Sequence, residues 1–338
     1  MTESATAVVV NWNGRDYVHE AVESLLRQDL PDLEVVVVDN ASRDGSDRKL
    51  EERFGARLHL IRNDRNLGWG AGNNVAIRAT RAPYVILLNS DARAEPAFAR
   101  ELVAAAGADP RVGMVAAKVL DHDRPDAIDT VGHLLYPDGL NRGRGRLEVD
   151  RGQYDAGCDA LFPSGAAALY RREMLEEIGL FDEAFFLYGD DAELGLRGRL
   201  AGWSCAFAPR AVARHRYSAS AGAYSSLKAF HVERNRVWLL LKLLPWSWIV
   251  ASPAYTALRL ALQAWGGITG RGAAGRLAAE RSVLHLGAVT LKAWASAAGG
   301  VPRVLGERAR VVRRLSPGEF RALLAAHRLT AREVALKE

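Results

Sequence analysis

Cysteine is scarce in this chain. Two thiols, Cys158 and Cys205, stand among 338 residues without the paired spacing of a zinc site. That excludes a disulfide-stapled fold and points to a reducing compartment. Long apolar runs are missing too. The longest uncharged stretch, Leu243–Leu258, is sixteen residues and holds Pro245 and Pro253, short of the roughly 20 residues that a spanning helix needs. No basic segment followed by an apolar run opens the chain, so no leader is expected. The three glycines of Asn63–Asn74 (NDRNLGWGAGNN) lack the G-x-G-x-x-G spacing of a dinucleotide loop. What remains is an ordinary globular composition, 49% hydrophobic and 25% charged, with length for one large domain or two smaller ones.

Charge is unevenly spread. Residues 1–209 carry 24 Lys/Arg against 34 Asp/Glu, a net of −10, whereas residues 210–338 carry 21 against 6, a net of +15. A basic C-terminal third calls for an acidic partner: nucleic acid, anionic lipid or another subunit. Its richness in Trp and Leu favours lipid, and cations alternating with long apolar segments disfavour nucleic acid.

Periodicity organises the first half. Ala7–Val10 is an apolar, β-branched run closed by Asn11-Trp12-Asn13-Gly14, followed by helical spacing over 15–29. Leu33–Val38 is a second strand, ending at Asp39 in a loop of Asn, Ser, Asp and Gly. A helix over 47–54, a strand over 58–61, a helix over 73–80 and a strand over 84–88 continue the rhythm. Alternation of this kind predicts an α/β fold with right-handed crossovers and a mainly parallel sheet. Ligands bind such sheets outside the carboxyl ends of the strands, which puts Asn11-Trp12, Asp39 and Asp91 on one rim. From 121 to 160 the pattern weakens, and the run Arg142-Gly143-Arg144-Gly145-Arg146 reads as a solvated loop more readily than as a phosphate clamp.

Two acidic groups carry the candidate chemistry. Asp190, Asp191 and Glu193 fall within four positions at a predicted helix start, where they either cap a solvated helix or form a site. Asp91 ends a buried-looking strand in Leu87-Leu88-Asn89-Ser90-Asp91, and His215 follows the acidic helix as a candidate ligand. Ser164-Gly165 allows close approach of a ligand to the backbone or, equally, tight packing. Metal plus base is the reading that unites the two groups.

The ordered series carries a family likeness. Val8–Gly14, Asp39-Asn-Ala-Ser-x-Asp-Gly-Ser, Asn66-Leu-Gly-Trp-Gly, Leu-Leu-Asn-Ser-Asp91, Gly165 and Asp-Asp-x-Glu resemble the family 2 inverting glycosyltransferases of the GT-A fold, especially the rhamnosyltransferase-like branch. The likeness runs from about residue 6 to 236. It implies that Val10, Trp12, Asp39, Asn66, Gly68, Asn89, Ser90 and Asp91 bind a nucleotide-sugar, with Asp39 on the pyrimidine. Asp91 and His215 would hold Mg2+ or Mn2+. Asp191 would be the catalytic base, with Asp190, Glu193 and Gly165 supporting it or orienting the acceptor, and Arg234-Asn235 would help close the domain. Asn89 departs from the family's first metal-motif acid, which leaves a weakly held ion dependent on the substrate phosphates.

The expected architecture is a GT-A domain over 1–236 and a helical basic tail over 237–338. Trp246, Trp248, Trp265 and Trp294 with flanking cations suit helices lying on an anionic membrane, and an apolar homodimer interface competes with that reading. Arg303–Arg314 adds a basic stretch suited to headgroups. The resemblance implies transfer of a sugar, dTDP-rhamnose being the first donor choice and a UDP-sugar the next, onto a lipid-linked or cell-surface glycan in polysaccharide and cell-envelope biosynthesis. The enzyme would sit in the cytoplasm, peripheral to the inner face of the cell membrane. Competing readings are a nucleotidyltransferase of sugar phosphates, for which Asn11–Gly14 lacks a phosphate-loop lysine, and a non-catalytic glycan- or membrane-binding relative.

Overall fold

The structure is a computed structural model that describes residues 4–156, 159–216, 225–270 and 283–336; Cys158 lies outside them. Three βα units open the chain: β1 (Ala5–Asn11), α1 (Tyr17–Leu26), β2 (Leu33–Asp39), α2 (Ser46–Phe54), β3 (His59–Arg62), α3 (Trp69–Ala79) and β4 (Tyr84–Leu88). These four strands pair in parallel in the order β3-β2-β1-β4. Alternate residues face opposite sides, as strand geometry requires. Val8, Val36 and Val38 enter one core, while Ala7, Val9, Val35 and Val37 enter the other with Val18, Val22 and Leu25 of α1.

The second half of the sheet is mixed. β5 (Ala92–Ala94), α4 (Phe98–Gly107), β6 (Val112–Asp121), β7 (Ile128–Thr130), β8 (His133–Leu135), β9 (Asn141–Gly143), β10 (Ala167–Arg171), α5 (Arg172–Ile178), α6 (Asp190–Leu200) and β11 (Ser204–His215) follow. β10 inserts antiparallel between β4 and β6, β11 runs parallel to β6, and β5 closes the edge antiparallel to β11. The described part of 121–160 holds three short strands where an irregular loop is expected. β7 pairs with β6, and β8–β9 is a hairpin whose arginines bond back to the chain: Arg142 to the Glu333 carbonyl, Arg144 to the Asp159 carbonyl, Arg146 to Asp129.

The C-terminal third is helical: α7 (Ser226–Leu243), α8 (Trp246–Thr269), α9 (Val283–Gly299), α10 (Val301–Arg308), α11 (Pro317–Ala326) and α12 (Ala331–Leu336). No described helix is long and apolar enough to cross a membrane. The expected boundary at 236/237 falls inside α7. Trp238, Leu239, Leu243, Ala297, Val304, Phe320 and Leu324 share one core with the sheet valines, so the helices complete a layer of the catalytic domain. Polar contacts lock the same seam. Lys242 of α7 reaches Asp182 (2.7 Å), Glu193 of α6 (2.9 Å) and Glu307 of α10 (2.7 Å). Arg308, Arg313 and Arg314 of the basic stretch donate to the carbonyls of Leu241, Lys242 and Ala201, so much of that stretch is turned to the protein. In α8, Pro253 has no N–H for the Ile249 carbonyl, and the Ser252 hydroxyl donates to it instead at 2.8 Å.

Candidate active site

The carboxyl ends of β1 and β4, the turn before α6 and the start of α7 surround a cleft of about 1110 Å³. Val10, Trp12, Asn66, Gly68, Asn89, Ser90, Asp91, Gly165, Asp190, Asp191 and His215 all line it. Residues up to 205 positions apart in sequence are thus gathered on one surface.

Asp191 is held in place by the backbone. Its Oδ2 accepts from the Gly165 N–H at 3.0 Å and its Oδ1 from the Ala192 N–H at 2.8 Å. Gly165 is required by packing, because a Cβ there would lie 2.7 Å from the Trp69 indole. The Trp69 Nε1–H in turn donates to Asn89 Oδ1 at 2.9 Å, so the amide expected to bind the nucleotide-sugar is already engaged by this indole. Asp190 points inward, 4% exposed, with Oδ2 lacking a hydrogen-bond partner among the described residues. Burial, reinforced by the charge of Asp191, pushes Asp190 up to about 8. α6 is therefore no solvated helix: Asp190 and every residue from Ala192 to Leu200 is buried.

The turn feeding α6 is strained and clamped. Phe186, Tyr188 and Gly189 have φ of 65°, 65° and 79°, a region that non-glycine residues seldom occupy. The side-chain amide of Asn235 in α7 donates to the carbonyls of Phe185 (3.0 Å), Leu187 (2.9 Å) and Tyr188 (2.6 Å). From the other side the Trp69 N–H donates to the Phe186 carbonyl at 2.8 Å. Gly68 (φ 90°) passes so close that a Cβ would sit 2.3 Å from that carbonyl oxygen.

Asp91 and His215 meet because β5 pairs with β11, setting Ala92 opposite His215. His215 Nε2 is 3.3 Å from Asp91 Oδ1, and Nδ1–H donates to Asp129 Oδ2 at 2.8 Å, Asp129 also pairing with Arg146. All three of Asp91, Asp129 and His215 are under 10% exposed. Burial alone would lower the imidazole, but the hydrogen bonds to Asp129 and Asp91 outweigh it and raise His215 to about 10. A carboxylate behind Nδ1 is the arrangement that orients a ligating imidazole. At neutral pH Nε2 carries a proton shared with Asp91, and a dication held by this pair would displace it. The donors fit a divalent cation, although the described residues contain no self-sufficient group of three acidic, His or Cys ligands.

Two expected site residues stand behind the cleft wall instead of on it. Asp39 is 3% exposed, accepting from Asn11 Nδ2 at 2.7 Å and the Ser42 N–H at 2.9 Å, so its carboxylate shapes the loop after β2. Glu193 is fully buried between Arg197 (2.7 Å) and Lys242, which leaves no oxygen to orient an acceptor; it anchors α6 to α7. Conversely, Asn40, Trp69, Asp129, Arg142 and Lys228 line the cleft without having been singled out as site residues. Trp69 lies inside the Asn66–Gly70 block and was findable there. Asp129, 86 positions before its partner, leaves no sequence signal.

A mixed sheet of this order, flanked by helices and carrying an Asp–His pair at its strand ends, is that of the GT-A class of fold. Solved structures that share it include GalNAc-T7 with UDP, GalNAc and Mn2+ (TM-score 0.61, 17% identity, 75% of this chain and 50% of that one) and the mannosyltransferase PcManGT of Pyrobaculum calidifontis with GDP-Man and Mn2+ (0.50, 21%, 88% and 86%). The family described as glycosyltransferase like family 2 matches residues 3–236, and the chain belongs to it. It is accordingly a glycosyltransferase. It is 25% identical over 267 residues to the N-acetylglucosaminyl-diphospho-decaprenol L-rhamnosyltransferase of Mycobacterium tuberculosis, covering 68% of this chain and 82% of that protein. To the O-antigen biosynthesis protein RfbC of Myxococcus xanthus it is 30% identical over 204 residues, 56% of this chain and 16% of that one.

Proposed function

We propose that the chain is an inverting, metal-assisted transferase that moves one sugar, rhamnose from dTDP-rhamnose being the first choice, onto a hydroxyl of a lipid-linked glycan. The observation that carries this reading is the placement of Asp191. Its carboxylate is fixed by two N–H groups and opens on the same cleft as Asp91 and His215. Asp191 takes the proton of the acceptor hydroxyl as its oxygen attacks the anomeric carbon, and one direct displacement inverts that centre. Val10, Trp12 and Asn40 offer an apolar and amide wall for the nucleotide, and Asn66 and Gly68 hold the lip above it. Asp91 and His215 would hold Mg2+ or Mn2+, which when bound supplies neutralisation of charge on the departing nucleoside diphosphate. The name of the mycobacterial relative supports rhamnose and a lipid diphosphate acceptor, in line with the motif resemblance.

The same reading includes attachment to the inner face of the cell membrane. α8 carries one charged residue, Arg259, and it is 2% exposed. Trp246, Val250, Leu258 and Trp265 project from its outer side within roughly 120° of arc, the pattern of a helix lying in an interface. A homodimer through α8 is the competing reading; flotation of the full chain with anionic vesicles, against sedimentation without them, separates the two.

Replacing Asp191 by asparagine tests the chemistry. Turnover should fall by roughly 10²-fold or more, the usual worth of a positioned base, while binding of the nucleoside diphosphate, followed by calorimetry, persists. Near-normal transfer in that variant would sink the assignment.

A further inference from the structure

The cleft does not stop at the catalytic residues. It continues between α8 and α9, where Leu260, Ala264 and Gly267 on one helix face Leu286, Thr290 and Trp294 on the other. Spacings of three and four residues put each set on a single helical face. Neither set contains a charge, and the other titratable residues of α9, His285 and Lys292, do not line the cleft. Two aliphatic side chains, Ile268 and Leu291, line the outer part of this arm while 87% and 65% exposed. Both sit at the mouth of an uncharged cleft, where a bound apolar group would cover them.

The inner end is polar. Glu233 and Arg236 of α7, Arg259 of α8 and Asp138 form a buried network: Arg259 to Asp138 and to Glu233 at 2.8 Å each, Arg236 to Glu233 at 2.7 Å, with the Trp294 indole 3.4 Å from Glu233. From Arg259 to Ile268, and from Trp294 back to Leu286, each helix runs roughly 12–14 Å at 1.5 Å per residue. The arm is thus an apolar trough of that length, beginning at a charged network and ending at an exposed aliphatic mouth. Lys228 and Arg142 line the cleft that joins it to Asp191.

We propose that this trough binds the hydrocarbon chain of the acceptor lipid. The inference rests on the lipid-linked reading above and adds a site to it. One cleft offers an uncharged trough for the chain, cationic side chains for the phosphate and a carboxylate base for the sugar hydroxyl. Those are the three chemistries such an acceptor presents. The outer face of α8 would lie on the bilayer while its inner face guides the chain out of it.

The test uses the full-length protein and one sugar linked through a diphosphate to either a long polyprenyl chain or a short, water-soluble prenyl chain. The long form carries a diazirine on its chain. Irradiation should attach it to the facing segments of α8 and α9. Gly287→Trp fills the trough, since a Cβ at Gly287 meets nothing within 4 Å; it should lower the ratio of kcat/KM for long over short acceptor at least tenfold. Leu291→Asp, which charges the mouth, should move the ratio the same way. Labelling confined to Trp246, Val250 and Leu258, or a ratio untouched by both variants, would overturn the trough and leave only surface docking. Transfer to both acceptors with equal efficiency in the unmodified protein overturns it as well. Labelling within the trough without sugar transfer to either acceptor would support the site and defeat the lipid-acceptor transferase reading instead.

Discussion

Lys242→Met is the most informative single change to the scaffold. Methionine keeps much of the stem's volume and removes an ammonium, 7% exposed, that Asp182, Glu193 and Glu307 share. Arg197 still pairs with Glu193, and Arg303 still reaches Asp182 and Glu307, so the deficit is one charge and not three. Removing one partner of a buried ion pair costs about 3–5 kcal/mol. Unfolding entropy of about 2.1 cal/mol/K per residue amounts to roughly 0.7 kcal/mol/K for a chain of this length, so Tm should fall by about 4–7 °C. Differential scanning calorimetry at neutral pH reads this directly. The acid side gives an independent check. Asp182, despite burial that works to raise it, is held down at about 2 by Lys242 and Arg303. A depressed carboxylate contributes stability above its unfolded value near 3.8 and loses it as the pH falls through 2. The gap between wild type and variant should therefore narrow as pH drops from about 4 toward 2. A Tm change under about 2 °C at neutral pH would refute the claim that this hub fastens the C-terminal helices to the catalytic domain.

Asp190→Asn should change stability with the opposite pH sense. A carboxyl raised to about 8 contributes stability below its unfolded value near 3.8 and loses it as pH rises through 8, so the variant should gain on wild type across that window in urea titrations. Gly165→Ala puts a methyl 2.7 Å from the Trp69 indole and shifts the N–H that holds Asp191; kcat should drop at least tenfold with donor KM little changed. Asn235→Ala frees three carbonyls of the turn before α6, and should cost about 1–3 kcal/mol together with turnover, read as earlier proteolytic cleavage near Leu187.

The βα half was legible because each strand is a short β-branched run and each helix an amphipathic one: Val35–Val38 and Val18–Leu25 announce themselves. β6 escaped notice although nine of its ten residues are buried, since its Gly, Ala and Lys carry no alternation. β7 to β9 were hidden because they are three residues each and held by pairing to distant strands and by ion pairs such as Arg146–Asp129. In the site, residues at strand ends were readable from local motifs, whereas burial was not. Nothing local distinguishes Asp191, which faces the cleft, from Glu193, two positions on, which faces Lys242. The path of the chain through residue 236 was hidden for a similar reason: a helix with Asn235 toward the turn before α6 and Trp238 in the shared core has no composition break to mark it.

That helix has a consequence for engineering. α7 carries the amide that sets the catalytic turn, the glutamate and arginine of the network at the trough, and the lysine that ties in α10, all within ten residues. The C-terminal third is therefore not a cassette. Chimeras that graft another relative's tail to alter acceptor choice need their junction outside α7, before Ser226 or after Leu243, and in the second case must bring a carboxylate to meet Lys242. A crossover at the edge of the family match, residue 236, would divide one rod between two ancestries and leave neither half with its partners.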